Sequence, residues 1–216
     1  MVYNITMPRR APELVTNEIY HVYNRGVEKR DVFLTDRDYK HFLETLEHYL
    51  APVIKLSRKP KLKDNQRSET PLVDILCYCL MPNHFHLILR QKSDNGISVF
   101  MNRVANSFTK YFNIKNDRVG PLFQGVFKAV RIETDEQLLH VSRYIHLNPL
   151  VANLAANIRD YQWSSYSAYV GDEQNNLVST QEVLAHFPSK EKYGQFVADQ
   201  TDYARTLEQL KYQSLE

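Results

Sequence analysis

The feature that most constrains the fold is a pair of apolar segments separated by a short turn. The segment from Val73 to Leu80 is almost entirely apolar, Met81-Pro82-Asn83 has turn character, and the apolar pattern resumes from His84 to Gln91. Two such segments joined by three residues predict an antiparallel β-hairpin. Successive side chains of a strand point to opposite faces, so His84 and His86 share one face while the apolar residues between and after them enter a core.

The shared face makes His84 and His86 candidate metal ligands. Two imidazoles side by side on one strand can bind a single divalent ion. Two histidines on a solvent-exposed strand face would leave the same pattern in the sequence. The hairpin by itself therefore leaves both interpretations open.

The rest of the chain predicts an alternation of strands and helices. A first strand is predicted from Glu18 to Tyr23, ended by Asn24-Arg25-Gly26, and helical spacing of apolar residues follows Thr35-Asp36. After the hairpin, a helix is predicted from Ile97 to Phe112 and a strand from Val126 to Ile132.

A last helix of this series is predicted to begin after Thr134. Gln137 lies three residues on, as in a capping box, and Asp135 and Glu136 suit the positive end of the helix dipole. Pro149 predicts the end of this helix. The resulting order of elements favours an α+β domain of ferredoxin-like type, with helices packed on an antiparallel or mixed sheet.

The organisation predicted for the 216 residues is one main domain and an extension of it. The domain spans residues 1–170 and carries a basic insertion loop near residues 55–71, where polar residues and prolines show no periodicity. Residues 171–216 are predicted to form a C-terminal helical extension, with helices over residues 180–186 and 192–210.

The distribution of charge is more informative than its total of +2. Six basic residues and one acid lie between Phe100 and Arg131, and six basic residues and one acid lie between Lys55 and Arg67. Together with an aromatic fraction of 12%, these runs fit a polyanion-binding surface. Runs that are simply solvated would have the same composition.

The two cysteines, Cys77 and Cys79, are predicted to be reduced and buried. Neighbours on one face of a strand rarely have disulfide geometry, and no second cysteine pair exists to complete a zinc site. No signal segment or long apolar span is evident, which predicts a soluble, cytoplasmic protein without membrane contact.

A tyrosine on the helix after Thr134 is the second candidate for chemistry. Gln137, Val141, Tyr144 and Asn148 fall on one stripe of that helix. Tyr144 then lies at the boundary between core and surface, where its hydroxyl could face the two histidines. A lone helical tyrosine is more often a packing residue, so the helix alone does not assign its role.

Four short segments occur together in a specific order: Asn24-Arg25-Gly26, Met81 to His86, Leu122 to Lys128, and Arg143 to Pro149. This combination resembles the REP-associated tyrosine transposases, single-tyrosine members of the HUH endonuclease superfamily that are related to the IS200-like transposases. The resemblance runs from about Ile19 to Tyr169 and covers most of the chain. The long basic loop departs from the family pattern, and the segment beyond Gly171 matches no known motif.

The resemblance implies a metal-dependent single-strand DNA endonuclease and transposase. His84 and His86 would bind Mg²⁺ or Mn²⁺, and Tyr144 would attack the scissile phosphate to form a covalent 5′-phosphotyrosine intermediate. Asn148 stands where relatives supply a third metal ligand, with His140 and His21 as alternatives. By ligand chemistry alone, two imidazoles suit manganese, zinc or nickel better than magnesium.

The resemblance also implies single-stranded DNA with palindromic hairpins as the partner, bound by a monomer or a homodimer. The candidate DNA-binding residues are basic, aromatic or amide side chains: Arg103, Lys110, Lys128 and Arg131 for phosphates, Phe123 and Phe127 for base stacking, and Asn24 and Arg25 for base edges. Core packing is an equally good interpretation of a phenylalanine, and Asn24-Arg25-Gly26 could form a simple turn.

Two other classes of function are compatible with some of these residues. A domesticated relative would be a non-catalytic DNA-hairpin-binding regulator, although the retention of both histidines, Tyr144 and Asn148 argues against pure binding. A zinc hydrolase built on His84 and His86 would lack an obvious acidic third ligand and a general-base motif.

Overall fold

The computed structural model describes residues 13–50, 71–171 and 175–200. Its centre is a four-stranded sheet in which every paired strand is antiparallel. The strands are β1 (Ile19–Arg25), β2 (Val73–Met81), β3 (His84–Gln91) and β4 (Lys128–Ile132), in the spatial order β2-β3-β1-β4.

Helices connect and follow the strands in the predicted order. Helix α1 (Asp36–Leu50) follows β1, α2 (Gly96–Lys115) follows the β2–β3 hairpin, and α3 (Asp135–Val151) follows β4. This order, with the two central strands β1 and β3 adjacent, confirms the ferredoxin-like α+β fold.

The period-two pattern of the strands separates the two faces of the sheet. Tyr20, Val22, Phe85 and Leu87 are buried against α1 and α2, and we call their side of the sheet the core face. The alternating side chains His21, Tyr23, His84 and His86 lie on the opposite side, toward α3, and we call that side the cleft face.

The C-terminal helices cover the part of the cleft face near β2. Helices α4 (Tyr166–Val170), α5 (Gln181–Leu184) and α6 (Lys190–Ala198) join α3 and the sheet in a second apolar cluster. Cys77 and Cys79 lie in this cluster as free, buried thiols, as predicted. Burial raises the pKa of Cys77 to about 12, so this thiol stays protonated.

Several boundaries differ from those predicted. Strand β1 continues through Asn24 and Arg25, which pair with Phe85 and His84, so the predicted turn begins only at Gly26. Strand β4 begins at Lys128, two residues later than predicted, and α2 extends to Lys115. The sequence located each of these helices and strands correctly from its apolar pattern. The polar residues at their ends were assigned from turn propensity, which does not show whether they pair with a neighbouring strand.

Helix α3 ends at Val151, two residues beyond Pro149, so its predicted end at or near Pro149 is correct to within two residues. Its start is confirmed, because the Thr134 hydroxyl accepts a hydrogen bond from the Gln137 backbone N–H at 3.2 Å. Pro149 lies in the last turn of the helix, where its missing N–H removes a single intrahelical bond. The Ala152 N–H still donates to the Asn148 carbonyl at 2.9 Å, and the helix continues to Val151.

Two predicted regions fall wholly or partly outside the described residues. The basic loop near residues 55–71 is one of them, and the predicted helix over 192–210 is described only as α6, which begins at Lys190. The helix predicted over 180–186 is the shorter α5. Among the helices in the described ranges, none combines the length and apolarity needed to span a membrane.

Candidate active site

A cleft of about 410 Å³ lies between the cleft face of the sheet and α3. Strands β1, β3 and β4 form its floor, and α3 forms one wall. The lining side chains are His21, Tyr23, His86, Val130, Arg131, Ile132, Gln137, Val141 and Tyr144. Three members of the predicted helical stripe therefore face the histidine side of the sheet.

The three histidines of the cleft face form one connected group. His84 and His86 share a face of β3 as predicted, with ring centroids 4.9 Å apart. His21, on the neighbouring strand β1, brings its Nε2 atom to 2.9 Å from His86 Nδ1, and the two rings stack at 5.1 Å. His21 was only an alternative in the sequence, and the antiparallel pairing of β1 with β3 brings it against His86.

Burial keeps these imidazoles uncharged. It lowers the pKa of His21 and of His84 to about 4, with the positive charge of Arg25 adding to the effect on His84. It lowers the pKa of His86 well below its usual value, and the neighbouring His84 and His21 add to the shift. A neutral imidazole has one nitrogen lone pair, which is the form that binds a metal ion.

Asn83, the last residue of the hairpin turn, orients the ring of His84. Its Nδ2 donates to the Lys29 carbonyl at 3.2 Å, which directs its Oδ1 toward His84 Nδ1 at 2.6 Å. An amide oxygen only accepts, so Nδ1 of the neutral ring carries the proton. The lone pair of His84 is thereby assigned to Nε2, an arrangement typical of metal-binding histidines.

Tyr144 projects from α3 over the histidine group. Its ring packs edge-on against His86 at 5.6 Å and against His21 at 6.3 Å between centroids. The side chain is 51% exposed, so a large substrate can reach it. The structure thus brings together Tyr144 and the histidines that the sequence had placed on different elements.

The candidates for a third ligand have different surroundings. The Asn148 side chain donates from Nδ2 to the Tyr144 carbonyl at 2.8 Å, which leaves its oxygen available. The His140 Nδ1 atom lies 2.6 Å from Arg143 Nη2 and its ring faces Phe196 of α6. Neither Asn148 nor His140 is among the side chains that line the cleft. Within the described ranges, no three His, Cys, Asp or Glu side chains are grouped as a complete metal site.

Three of the predicted DNA contacts are buried, and their predicted contact with DNA is wrong. Asn24 is only 6% exposed because it lies on the core face, where its Nδ2 donates to the Gly125 carbonyl and its Oδ1 accepts from the Arg25 N–H. Phe123 is 5% exposed and packs against Phe85 and Phe108, so a base cannot stack on its ring. Phe127 is likewise part of the core.

Three of the basic candidates lie at the cleft and two lie on the opposite side of the sheet. Arg25 and Lys128 are exposed next to the cleft, since Arg25 pairs with His84 across the strands and the Lys128 ammonium lies 6.0 Å from the Tyr23 ring centroid. Arg131 lines the cleft but forms an ion pair with Glu18 at 2.9 Å. Arg103 and Lys110 are exposed on α2, across the sheet from Tyr144.

Sequence reasoning missed the role of Asn83 and the bond between His21 and His86. A signal existed for each of them. Asn83 directly precedes the first histidine of the hairpin, and His21 follows the same alternation that buries Tyr20 and Val22 on the other face. Neither signal shows which side chain Asn83 or His21 contacts, because that depends on how the strands pair.

The comparisons with known proteins identify the family and the fold. The family model described as "Transposase IS200 like" matches residues 15–148, more than half of the chain. A solved structure of a REP-associated tyrosine transposase bound to a REP hairpin aligns with a TM-score of 0.56 and 15% identity, over 80% of this chain and 98% of that one. At this identity the likeness shows a common fold, and no curated protein matches the chain. The family match, which runs from before β1 to the last turn of α3, shows that the chain belongs to the IS200-like transposase family.

Proposed function

We propose that this chain is a metal-dependent endonuclease that nicks and rejoins single-stranded DNA next to hairpins. The observation that carries the proposal is the placement of the half-exposed Tyr144 ring edge-on against His86 and His21 at the rim of a cleft. A tyrosine that attacks a phosphate must be open to its substrate and must lie beside groups that can stabilise the charge that develops in the reaction.

Tyr144 is the proposed nucleophile. Its phenolic oxygen attacks the phosphorus of the scissile phosphodiester, an O–P bond forms, and the bond from phosphorus to the 3′ oxygen breaks. The phenolic proton is lost to solvent, which the exposed ring contacts, and the departing oxygen takes up a proton to become a free 3′-hydroxyl. The 5′-phosphotyrosine retains the energy of the phosphodiester, so the reverse attack rejoins the strand without a nucleotide cofactor.

The residues proposed to hold the metal are His84 and His86, with the Asn148 amide oxygen as a third ligand. Their fit rests on the lowered pKa of both rings and on the lone pair that Asn83 directs to His84 Nε2. When bound, Mg²⁺ or Mn²⁺ would polarise the phosphate and offset its developing charge. Two nitrogen ligands favour Mn²⁺ over Mg²⁺, and the oxygen of Asn148 suits either ion.

His21 is proposed to support His86 and not to bind the metal. Its Nε2 atom is engaged with His86 Nδ1, which leaves the other nitrogen of His86 for a ligand. A histidine ligand whose second nitrogen is held by a neighbour keeps its ring orientation and tautomer. His21 thereby acts toward His86 as Asn83 acts toward His84.

The proposed substrate is single-stranded DNA that carries a hairpin, in keeping with the REP hairpin bound in the structural neighbour. Arg25 and Lys128 flank the cleft and would contact the phosphates on either side of the scissile bond. Arg103 and Lys110 would contact a more distant part of the hairpin, because they lie across the sheet. If roughly four to six phosphates are contacted, the logarithm of affinity should fall with that of salt at a slope of about −3 to −4.

The test compares the wild type with Tyr144→Phe on an end-labelled hairpin oligonucleotide. Wild type with Mn²⁺ should form a covalent adduct that survives a denaturing gel, and chelator should abolish it. Tyr144→Phe removes only the hydroxyl, so DNA binding should persist without an adduct. An adduct formed by the Phe variant would refute the assignment of the nucleophile, and hairpin binding without wild-type cleavage under any divalent ion would favour the non-catalytic regulator.

A further inference from the structure

A fully buried polar network lies on the side of α3 away from the cleft. The Tyr193 hydroxyl of α6 is 2.7 Å from His146 Nδ1 and 3.2 Å from Ser142 Oγ, both on α3. His146 Nε2 in turn is 2.9 Å from Ser165 Oγ and 3.2 Å from Cys77 Sγ of β2. All five residues are completely buried, so no substrate reaches them and the network has no direct chemistry.

The network connects helix α3 to α6, to strand β2 and to Ser165, the residue before α4. Ser142 and His146 are four residues apart and share a stripe of α3, between Tyr193 of α6 and the sheet. Tyr144 lies two residues from each, about 200° around the helix, because an α-helix advances about 100° per residue. The rotation of α3 about its axis therefore determines both whether these bonds form and where the Tyr144 ring points.

A second contact joins the same two helices nearer the surface. The Arg143 guanidinium lies 4.2 Å from the centroid of the Phe196 ring, and its Nη1 donates to the Phe196 carbonyl at 3.4 Å. Helix α6 also packs on α4, where the rings of Tyr193 and Tyr169 lie 4.9 Å apart. Helix α6 is thus held on one side by α4 and holds α3 on the other.

We propose that α6 is a clamp that sets the rotation of α3, and that Tyr193 is a positioning residue for Tyr144. The clamp lies beyond residue 148, where the match to the transposase family model ends. The inference rests on the proposed function, because it assigns α6 a role in the reaction of Tyr144. Hydrogen bonds have a narrow range of lengths and angles, so a polar network specifies one rotation of a helix where apolar packing alone permits several.

The experiment compares Tyr193→Phe with Tyr169→Phe in the full-length chain. Both variants remove one hydroxyl from the same buried cluster, but the Tyr169 hydroxyl donates to the Leu76 carbonyl of β2. Tyr169 meets His146 of α3 through its ring, which the substitution by Phe keeps. Three quantities are measured for each: the melting temperature, the affinity for a hairpin oligonucleotide, and the rate of covalent adduct formation at saturating DNA with Mn²⁺.

The clamp predicts that Tyr193→Phe slows adduct formation roughly tenfold to 100-fold at saturating DNA, the range expected for a misplaced reacting group. Affinity for the hairpin should be unchanged, because the DNA-contacting surface is elsewhere. Tyr169→Phe should lower the melting temperature by a similar amount and leave the rate unchanged. Equal rates for the two variants would overturn the proposal, because loss of stability alone would then account for both.

Two further measurements keep the test decisive. If Tyr193→Phe does not fold, Phe196→Leu removes the ring beside Arg143, and Phe187→Leu is its control, because the Phe187 ring contacts Tyr193 and Phe196 but not Arg143. Hydrogen exchange of the α3 amides should accelerate in the clamp variant and not in its control. The exchange measurement does not depend on cleavage. If the wild type forms no adduct, the assignment of Tyr144 as nucleophile fails, and the exchange rates still decide whether α6 orders α3.

Discussion

The core face and the cleft face of the sheet are built from alternate residues of the same strands. On the core face, Tyr20, Val22, Phe85 and Leu87 are buried among the apolar side chains of α1 and α2. On the cleft face, the positions between them hold three histidines and Tyr23, which are joined by ring contacts and one imidazole–imidazole hydrogen bond. One strand pair thus supports an apolar core on one side and a polar site on the other.

The difference indicates how the site is stabilised. Burial of three neighbouring imidazoles opposes folding below about pH 6.5, where the unfolded chain binds protons that the folded protein excludes, as their lowered pKa values indicate. Burial of large apolar side chains on the other side of the same strands favours folding by about 1.5–3 kcal/mol for each residue. Substitutions on the core face should therefore affect stability, and those on the cleft face should affect chemistry.

The largest effect is expected from Phe85→Ala on the core face. Phe85 is fully buried between Phe42 and Phe123, so truncation should lower the free energy of unfolding by about 3–5 kcal/mol. Urea denaturation gives this quantity. The milder variant Phe85→Leu should retain the wild-type rate of adduct formation while folded, and a large loss of that rate would contradict the separation of the two faces.

The adjacent variant His86→Ala should have the opposite profile. Adduct formation should fall roughly 10²- to 10³-fold, since the charge stabilisation supplied by a metal contributes several kcal/mol. The melting temperature measured without metal should be unchanged or higher, because a desolvated imidazole is removed. Isothermal titration with Mn²⁺ provides a second readout, and unchanged Mn²⁺ affinity would show that His86 is not a ligand.

Acid should destabilise the α3 side of the protein through His146. Burial lowers the pKa of His146 to about 3 from an ordinary value of 6.5, so the unfolded chain binds a proton that the folded protein excludes. The stability from this residue is complete above pH 6.5 and decreases below it, by about 2 kcal/mol between pH 7 and pH 5. Burial raises the pKa of the neighbouring Tyr169 and Tyr193, which stay uncharged and offer no compensating anion.

Urea denaturation at the two pH values measures this effect. His146→Gln should show a smaller loss of unfolding free energy between pH 7 and pH 5 than the wild type does. The cleft histidines remain in both proteins and cancel in the comparison. An identical pH dependence in the two proteins would contradict a buried, neutral His146.

The smallest effect is expected from Asn83→Ala. It leaves both proposed histidine ligands in place and removes only the acceptor that holds His84 Nδ1–H. We expect Mn²⁺ affinity to fall about tenfold, the lower end of the range for such supporting residues. Asn83→Asp, which keeps an acceptor at that position, should retain more of the affinity than Asn83→Ala, and the reverse order would reject the assigned tautomer.

Much of the fold was predictable because it depends on local periodicity. The alternation around His84 and His86 and the capping residues of α3 were sufficient to locate β3 and the start of the tyrosine helix. The site was predictable in part for the same reason, since Tyr144 and both histidines lie on regular elements. The end of α3 was predicted to within two residues, and the helix continues past Pro149 because a proline in the last turn removes only one hydrogen bond.

The incorrect DNA contacts have other causes. Asn24 belongs to a segment whose local composition indicates a turn, and turns are usually exposed. Phe123 was assigned from its aromatic ring, which suits core packing as well as base stacking. In the structure, Gly26 pairs with Phe123 in an isolated bridge and the Gly125 carbonyl accepts from Asn24. These contacts join residues about 100 positions apart, so no local pattern could reveal that both side chains are buried.

The amino-acid sequence by itself determined the order of the elements, the face on which each strand side chain lies, and the family resemblance of its motifs. These properties follow from covalent geometry and spacing within single segments. Only the tertiary structure decided that His21 meets His86 across 65 residues and that Tyr193 meets His146 across 47. Such contacts depend on strand register and helix rotation, which are set by the packing of the whole core and not by any one segment.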